Sequence, residues 1–343
     1  MTFDDVLIIK NGKNQRAVEN PDGKYPIYGS GGIMGYADDY ICEADTVIVG
    51  RKGSINNPIF VEEPFWNVDT AFGLVAKREV ILPRYLYYFC RNYDFERLNK
   101  AVTIPSLTKS DLLKIEITLP SLEIQEKIVN KLQKIEEVIQ ARQQQLQKLD
   151  ELVKARFVEM FGTLEEPTHE FSWATLKELC NKITDGKHGG CTTESGTERY
   201  FVGAREIYDD EVHYETAPEI NAAEFEKDYK RCNVEIGDFL IVNTGATIGK
   251  SAIASDERTT HTLLQKSVAL LKVKKDVLDP IFLKWCYRVN TGMYMVKSAS
   301  AQPNLLLSKI NATEIYVPDI MLQKQFTDFV EQTDKSKVAV QKA

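Results

Sequence analysis

Apolar residues recur at alternating intervals of four and three at Ile128, Leu132, Ile135 and Ile139, then at Leu146, Leu149 and Val153, with Arg142 completing the rhythm between the two runs. This spacing lays one stripe along a helix and matches a coiled-coil seam. From Leu122 to Phe161 there is neither Pro nor Gly, and Gln, Glu, Lys, Arg and Leu dominate, so the stretch is expected to be one uninterrupted helix. Pro120 lies just upstream and Gly162 just downstream, where a missing N–H and a left-handed residue are tolerated. At 1.5 Å per residue the helix spans roughly 60 Å, more than one small domain covers, which points to a spacer.

A second pattern is an internal repeat. Ile104-Pro105-Ser106-Leu107, Leu112, Ile117, Pro120, Leu122, Gln125 and Ile128 return as Gln302-Pro303-Asn304-Leu305, Ile310, Ile315, Pro318, Ile320, Gln323 and Phe326, each 198 positions on. Upstream, Pro83, Tyr85, Leu86 and Tyr88 match Pro280, Phe282, Leu283 and Trp285 at a displacement of 197. Asp45-Thr46-Val47-Ile48-Val49 resembles Asp238-Phe239-Leu240-Ile241-Val242, and both read as buried strands before a glycine-containing turn. Gly12-Lys13 and Gly186-Lys187 each follow a short apolar run near the start of their half.

The chain is therefore expected to be α+β: two similar mixed α/β lobes, a pseudo-twofold repeat, linked by long helices forming an antiparallel coiled coil. The expected divisions are a first lobe at 1–120, the spacer helix at 121–162, a second lobe at 163–317 and a short second helix at 318–343. That second helix, from Pro318 to about Gln341 with a seam of Phe326, Val330 and Thr333, cannot cover all of the first. Part of the long seam must pair with another chain, stay exposed, or meet residues outside this sequence, because a long exposed apolar stripe is a liability.

Composition narrows the function. The 343 residues are 43% apolar and 27% charged, as in soluble proteins, and no run approaches the roughly 18 apolar residues of a membrane span. The start, Met1-Thr2-Phe3-Asp4-Asp5, is acidic where a secretory signal is basic, so the cytoplasm is expected. Cys42, Cys90, Cys180, Cys191, Cys232 and Cys286 form no Cys-x-x-Cys pair, and His169, His188, His213 and His261 do not cluster; neither a disulfide framework nor a metal site is expected. The net charge of −7 gives no global basic footprint, so any nucleic-acid surface must be local.

Three motifs suggest catalysis and fail on spacing. Thr244-Gly245-Ala246-Thr247-Ile248-Gly249-Lys250-Ser251 places three residues between its glycines where a phosphate-binding loop needs four, and Ala252-Ile253-Ala254 reads as strand, not helix. Gly29-Ser30-Gly31-Gly32-Ile33-Met34-Gly35 has Met34 where a dinucleotide fingerprint needs its third glycine, and is expected to be a turn that lets backbone approach something closely. Asn57-Pro58-Ile59-Phe60 lacks the second proline of an adenine methyltransferase loop, and reads as an ordinary turn.

What remains is a set of polar and basic residues on expected loops in both halves. They are Lys10, Lys13, Asn14, Gln15, Arg16, Lys24, Tyr28, Ser30, Arg51, Lys52 and Ser54 in the first, and Lys182, Thr184, Lys187, His188, Arg205, Asn243, Thr244, Thr247 and Lys250 in the second. Arg and Lys neutralise phosphates, while Arg, Asn, Gln, Ser and Thr pair with base edges. Duplication and glycine-rich context single out Arg51, Lys52 and Lys187.

At these residues the chain resembles the specificity subunits of type I restriction-modification systems. The resemblance covers nearly the whole length and rests on the repeated Pro105-x-Leu107 to Pro120-x-Leu122-x-x-Gln125 block, the helix ending Lys154-Ala155-Arg156-Phe157 to Phe161-Gly162, and Thr184-Asp185-Gly186-Lys187-His188. It implies two target recognition domains that each read half of a bipartite double-stranded DNA site, held apart by paired helices, with no catalytic centre and no cofactor on this chain. Methyltransferase subunits using S-adenosylmethionine would dock on the framework, and motor-nuclease subunits using ATP and Mg would join them. The short second helix departs from the family and suggests possible self-association. Two other readings stay open: a self-contained adenine methyltransferase, and a coiled-coil adaptor with no nucleic-acid role.

Overall fold

In a computed structural model, residues 1–100, 104–294 and 304–342 are described. The chain divides into two compact units, Met1–Ala141 and Arg142–Ala343.

In the first unit the strands are β1 (Leu7–Asn11), β2 (Tyr25–Gly29), β3 (Gly32–Ala37), β4 (Thr46–Gly50), β5 (Ile59–Val61), β6 (Trp66–Asn67) and β7 (Ala71–Ala76). An antiparallel sheet has the order β1-β7-β4-β5, and a second sheet has the order β3-β2-β6, with β2 and β6 parallel. All of β4 is buried because both its faces are covered. Val47 and Val49 join the core containing Leu86 and Cys90 of the helix Pro83–Asn92, while Ile48 joins Cys42, Val61 and Phe65 on the other side. A continuous apolar run, not an alternating one, is what two covered faces require.

The second unit holds β8 (Ser172–Thr175), β9 (Cys180–Asp185), β10 (Tyr200–Val202), β11 (Ile207–Tyr208), β12 (Glu211–Val212), β13 (Phe239–Val242), β14 (Ser251–Ile253), β15 (Thr262–Leu264), β16 (Val268–Val273) and β17 (Glu314–Val317). Its main sheet, β9-β16-β13-β14, repeats β1-β7-β4-β5 strand for strand, and β10 with β15 repeats the parallel pair of β2 with β6. Phe239 and Ile241 face one core and Leu240 and Val242 another. The helix Pro280–Val289, with Pro at its first position, matches Pro83–Asn92.

The long helix runs Leu122–Phe161 and the C-terminal helix Ile320–Lys342. Within the second unit they pack antiparallel: Phe157 meets Phe326 at 5.3 Å between ring centres, and Lys337 reaches back to Asp150 at 2.8 Å. Val153, Phe157, Phe161, Phe326 and Val330 are buried there.

The seam expected from spacing needs correction in the first unit. Its covered face starts at Gln125 and Val129 and continues to Glu136, which accepts from Tyr88 Oη at 2.7 Å and pairs with Arg91. Ile128 and Leu132 lie half-buried beside this face, while Ile135 and Ile139 are 54% and 51% exposed. Leu146 and Leu149 are half-buried, and Val153 is fully buried. Periodicity identifies an apolar stripe, but the side of it that is covered depends on the helix Pro83–Asn92 packed against it.

No helix among the described residues is long and apolar enough to cross a membrane.

Candidate nucleic-acid interface

Each main sheet gathers several loops at one end. In the first unit this is where β1 and β4 leave and β7 enters, Asn11 lying opposite Phe72 and Gly50 opposite Ala71. Beyond β1, a Cβ on Gly12 would lie 1.8 Å from Val68 O, so only glycine lets the chain pass. Lys13 N then donates to Asn67 O at 2.8 Å, and Trp66 Nε1 donates to Lys13 O at 3.0 Å. The pinned backbone leaves Lys13, Asn14 and Arg16 exposed, with Asn14 Oδ1 accepting from Arg16 N at 3.0 Å; Gln15 is half-buried.

The loop after β4 is clamped from both sides. Arg51 N donates to Thr70 O at 2.8 Å, Leu107 N to Arg51 O at 2.9 Å and Gly53 N to Pro105 O at 3.0 Å. Buried Leu107 thereby ties the repeated Pro105-Ser106-Leu107 segment to the loop, whose side chains Arg51, Lys52 and Ser54 point to solvent. Arg51 also lies over the Phe72 ring. Ser30, at the β2–β3 turn, completes the group: its Cβ is 3.1 Å from where a Cβ on Gly50 would sit.

The second unit repeats the construction. A Cβ on Gly186 would lie 2.2 Å from Leu264 O, Lys187 N donates to Leu264 O at 2.7 Å and Lys266 N to Lys187 O at 2.9 Å. Leu305 N donates to Asn243 O at 2.7 Å, as Leu107 does to Arg51, while Gln302 and Pro303 lie outside the described residues. The same end carries Arg205, held nearby by Ala204 N to Ser267 Oγ at 3.2 Å, and the Thr244 to Lys250 turn. Arg205 and Lys250 are exposed, Thr244 and Thr247 half-buried and Asn243 buried. As its spacing predicts, that turn leads into the strand β14 and not into a helix.

Several expected residues sit elsewhere. Lys10, Tyr28, Lys182 and Thr184, expected on loops, lie in β1, β2 and β9, because each is paired with a neighbouring strand, Lys10 opposite Gly73, Tyr28 opposite Ile33, Lys182 opposite Lys272 and Thr184 opposite Leu270. Lys10 Nζ donates to Ile41 O at 3.4 Å and Lys182 Nζ to Lys230 O at 3.3 Å. Lys24 stands at the far end of the β2–β3 hairpin from Ser30 and lies over Tyr25. Asn57 and Pro58 lie outside any strand or helix, but Ile59 and Phe60, expected in the same turn, begin β5, where Phe60 pairs with Val47. Gly29 to Gly35 forms the β2–β3 hairpin, and its tip glycines Gly31 and Gly32 face open space and not a close neighbour.

Lys187 also differs from expectation. Its ammonium group pairs with Asp228 and stands 4.0 Å from Glu224, and the Asp228 hydrogen bond raises its pKa. A lysine already neutralised by two carboxylates is poorly placed to neutralise a phosphate. Beside it, Asp185 is buried and holds Arg231, with His188 Nε2 at 3.3 Å from its other oxygen. Arg231 Nε in turn donates to Asp185 O and Gly186 O, both at 2.9 Å. Sequence reasoning missed Arg231 and the exposed Lys266; the first is remote in sequence and the second lies in an undistinguished loop.

Among the described residues, the side chains of Lys13, Arg16, Lys52, Arg205 and Lys250 form no ion pair or hydrogen bond. Each unit therefore presents unpaired cations with amides and hydroxyls on loops fixed to one end of a sheet. That arrangement can hold phosphates and read base edges. No three His, Cys, Asp or Glu side chains are grouped to hold a metal ion among the described residues.

Comparison with known proteins follows this duplication. Residues 1–151 and 170–343 both match the model of the type I restriction modification DNA specificity domain. A putative type I specificity subunit from Mycoplasma pneumoniae is 27% identical over 136 residues, 37% of this chain and 44% of that protein, so the match spans less than half of that relative. In fold, the chain is similar to the S subunit of a type I restriction-modification system from M. genitalium, with a TM-score of 0.62 and 18% identity, covering 100% of this chain and 90% of the other. It is also similar to a chain in a structure of type I R-M complex assembly and conformational transition, with a TM-score of 0.56 and 17% identity, covering 100% and 91%.

Proposed function

Because the chain belongs to the family of type I restriction modification DNA specificity domains, we propose that it is a DNA-reading subunit whose two units each recognise one half of a bipartite duplex target. One observation carries this reading: the same sheet end, built by the same backbone bonds, presents unpaired cations and polar groups in both units. Lys13, Arg16, Lys52, Arg205 and Lys250 would hold phosphates. Asn14, Ser30, Arg51, Ser54, His188, Thr244 and Thr247 would read base edges or position the loops.

In the same reading, methyl transfer and strand cleavage belong to partner subunits, which would bring S-adenosylmethionine, ATP and Mg. Exposed Ile135, Val138 and Ile139 on the long helix support docking of a methyltransferase subunit there. The local patches, not the net charge of −7, would supply the attraction to DNA.

The test is to combine the chain with a type I methyltransferase subunit from its source and map adenine methylation on plasmid DNA. Methylation at a two-part motif with a fixed gap is the expected result. A complex that forms but methylates without sequence preference would sink the proposal. Absence of both complex and DNA binding would favour the adaptor reading.

A further inference from the structure

The end of the first unit that carries Arg51 and Lys52 also carries an exposed apolar tip. On β3, Ile33 is 57% and Met34 62% exposed, where an edge strand ordinarily turns polar residues to water. The β2–β3 turn consists of Ser30 and Gly31 only, since Gly29 pairs with Gly32. A Cβ on Gly31 or Gly32 would meet nothing within 4 Å, so the two tip glycines face open space. Ile27 pairs with Gly35 and Tyr28 with Ile33, which leaves Met34 as the extra residue of a bulge, a device that re-aims a side chain.

Charge around this tip identifies its partner. Ser30 abuts Gly50 and Gly53, on either side of exposed Arg51 and Lys52. Glu19 approaches Gly35 on the base side of the tip, and Glu63 is the carboxylate whose charge acts on Tyr28, beside Ile33. An exposed apolar turn with cations at its flank fits the major groove, which offers thymine 5-methyl groups as apolar features. In the second unit the β11–β12 hairpin turns at Asp209 and Asp210 instead, and Asp210 binds Arg288 at 2.6 Å and Lys284 at 3.3 Å.

We infer that Ile33 and Met34 enter the major groove of the half-site read by the first unit and there contact thymine 5-methyl groups. The inference rests on the DNA-reading function proposed above and assigns thymine contact to the half-site read by the first unit.

The experiment selects binding sites from a randomised duplex library with the full chain, together with its methyltransferase partner, for wild type and for Ile33→Ser/Met34→Ser. The variant is expected to lose preference at thymine-containing positions of one half-site, bind the wild-type site about 10-fold more weakly, and keep the other half-site. Wild-type protein on a site with uracil in place of thymine at those positions should bind about 4-fold more weakly per lost methyl, a readout independent of the variant's folding. An unchanged motif in the variant, or indifference of the wild type to uracil, overturns the inference while leaving the DNA-reading function intact. Lost methyltransferase association with an unchanged motif would instead make the tip a protein-docking surface and overturn it too. A wild type that selects no motif would refute the parent function and the inference with it.

Discussion

Gln323 repeats in the second unit the three hydrogen bonds that Gln125 makes in the first. Gln125 Oε1 accepts from Leu82 N at 2.9 Å, and its Nε2 donates to Val80 O and Pro120 O, each at 3.0 Å. Gln323 accepts from Asp279 N at 2.8 Å and donates to Val277 O at 2.9 Å and Pro318 O at 2.8 Å. Both are fully buried. Each amide thus joins the start of a long helix to the start of the shorter helix packed on it, with backbone groups that would otherwise lack partners.

Gln125→Leu strands one donor and two acceptors away from water and should cost on the order of 3 kcal/mol, read as a lower unfolding midpoint in denaturant. Gln125→Glu should be more damaging at pH 7 than at pH 4, because a carboxylate there would face two carbonyl oxygens. Equal midpoints for wild type and Gln125→Leu would contradict the role.

Gly186→Ala should destabilise the second unit by about 3 kcal/mol or more, since its methyl group would fall on the Leu264 carbonyl and the backbone must shift. Sequence-specific binding should fail with it, because Lys187, His188 and Lys266 hang on that crossing. Gly189→Ala, with open space around it but a φ of +89°, should cost less.

A short capped turn leads into the first strand of the main sheet in each unit. The Thr2 backbone N–H and hydroxyl donate to Asp5 Oδ2, and those of Thr175 donate to Glu178 Oε2 at 2.8 and 2.7 Å. The Thr175 hydrogen bonds hold the Glu178 pKa below its ordinary value. A depressed folded-state pKa gives stability that is present above the unfolded value and lost as pH falls through the folded one. Glu178→Gln should therefore be less stable than wild type at pH 6, with the difference shrinking below the ordinary value of 4.5. A gap of constant size from pH 6 to pH 3, measured by denaturant unfolding, would exclude this linkage.

Lys52→Ala and Lys250→Ala should each reduce the slope of log affinity against log salt by about 0.9, as expected for one lost phosphate contact. Lys187→Ala should leave that slope unchanged and lower stability instead, because its partner Asp228 loses its cation. Titration at several salt concentrations separates the two behaviours, and a slope change for Lys187→Ala alone would reverse the assignment.

The sequence by itself determined what depends on local pattern. Absence of Pro and Gly from 122 to 161 bounds the long helix, the continuous runs Thr46-Val47-Ile48-Val49 and Phe239-Leu240-Ile241-Val242 mark central strands buried on both faces, and the 198-residue displacement reveals the repeated frame. The tertiary structure decided what depends on partners remote along the chain. It set the covered face of the helix at Gln125 and Val129, leaving Ile135 and Ile139 exposed, because the helix Pro83–Asn92 packs there. It also sorted cations of identical appearance: Lys52 is free of ion pairs while Lys187 is held by Asp228, 41 positions away. Spacing along a chain records which side chains share a face; which charges remain for a ligand depends on non-local contacts that no local period encodes.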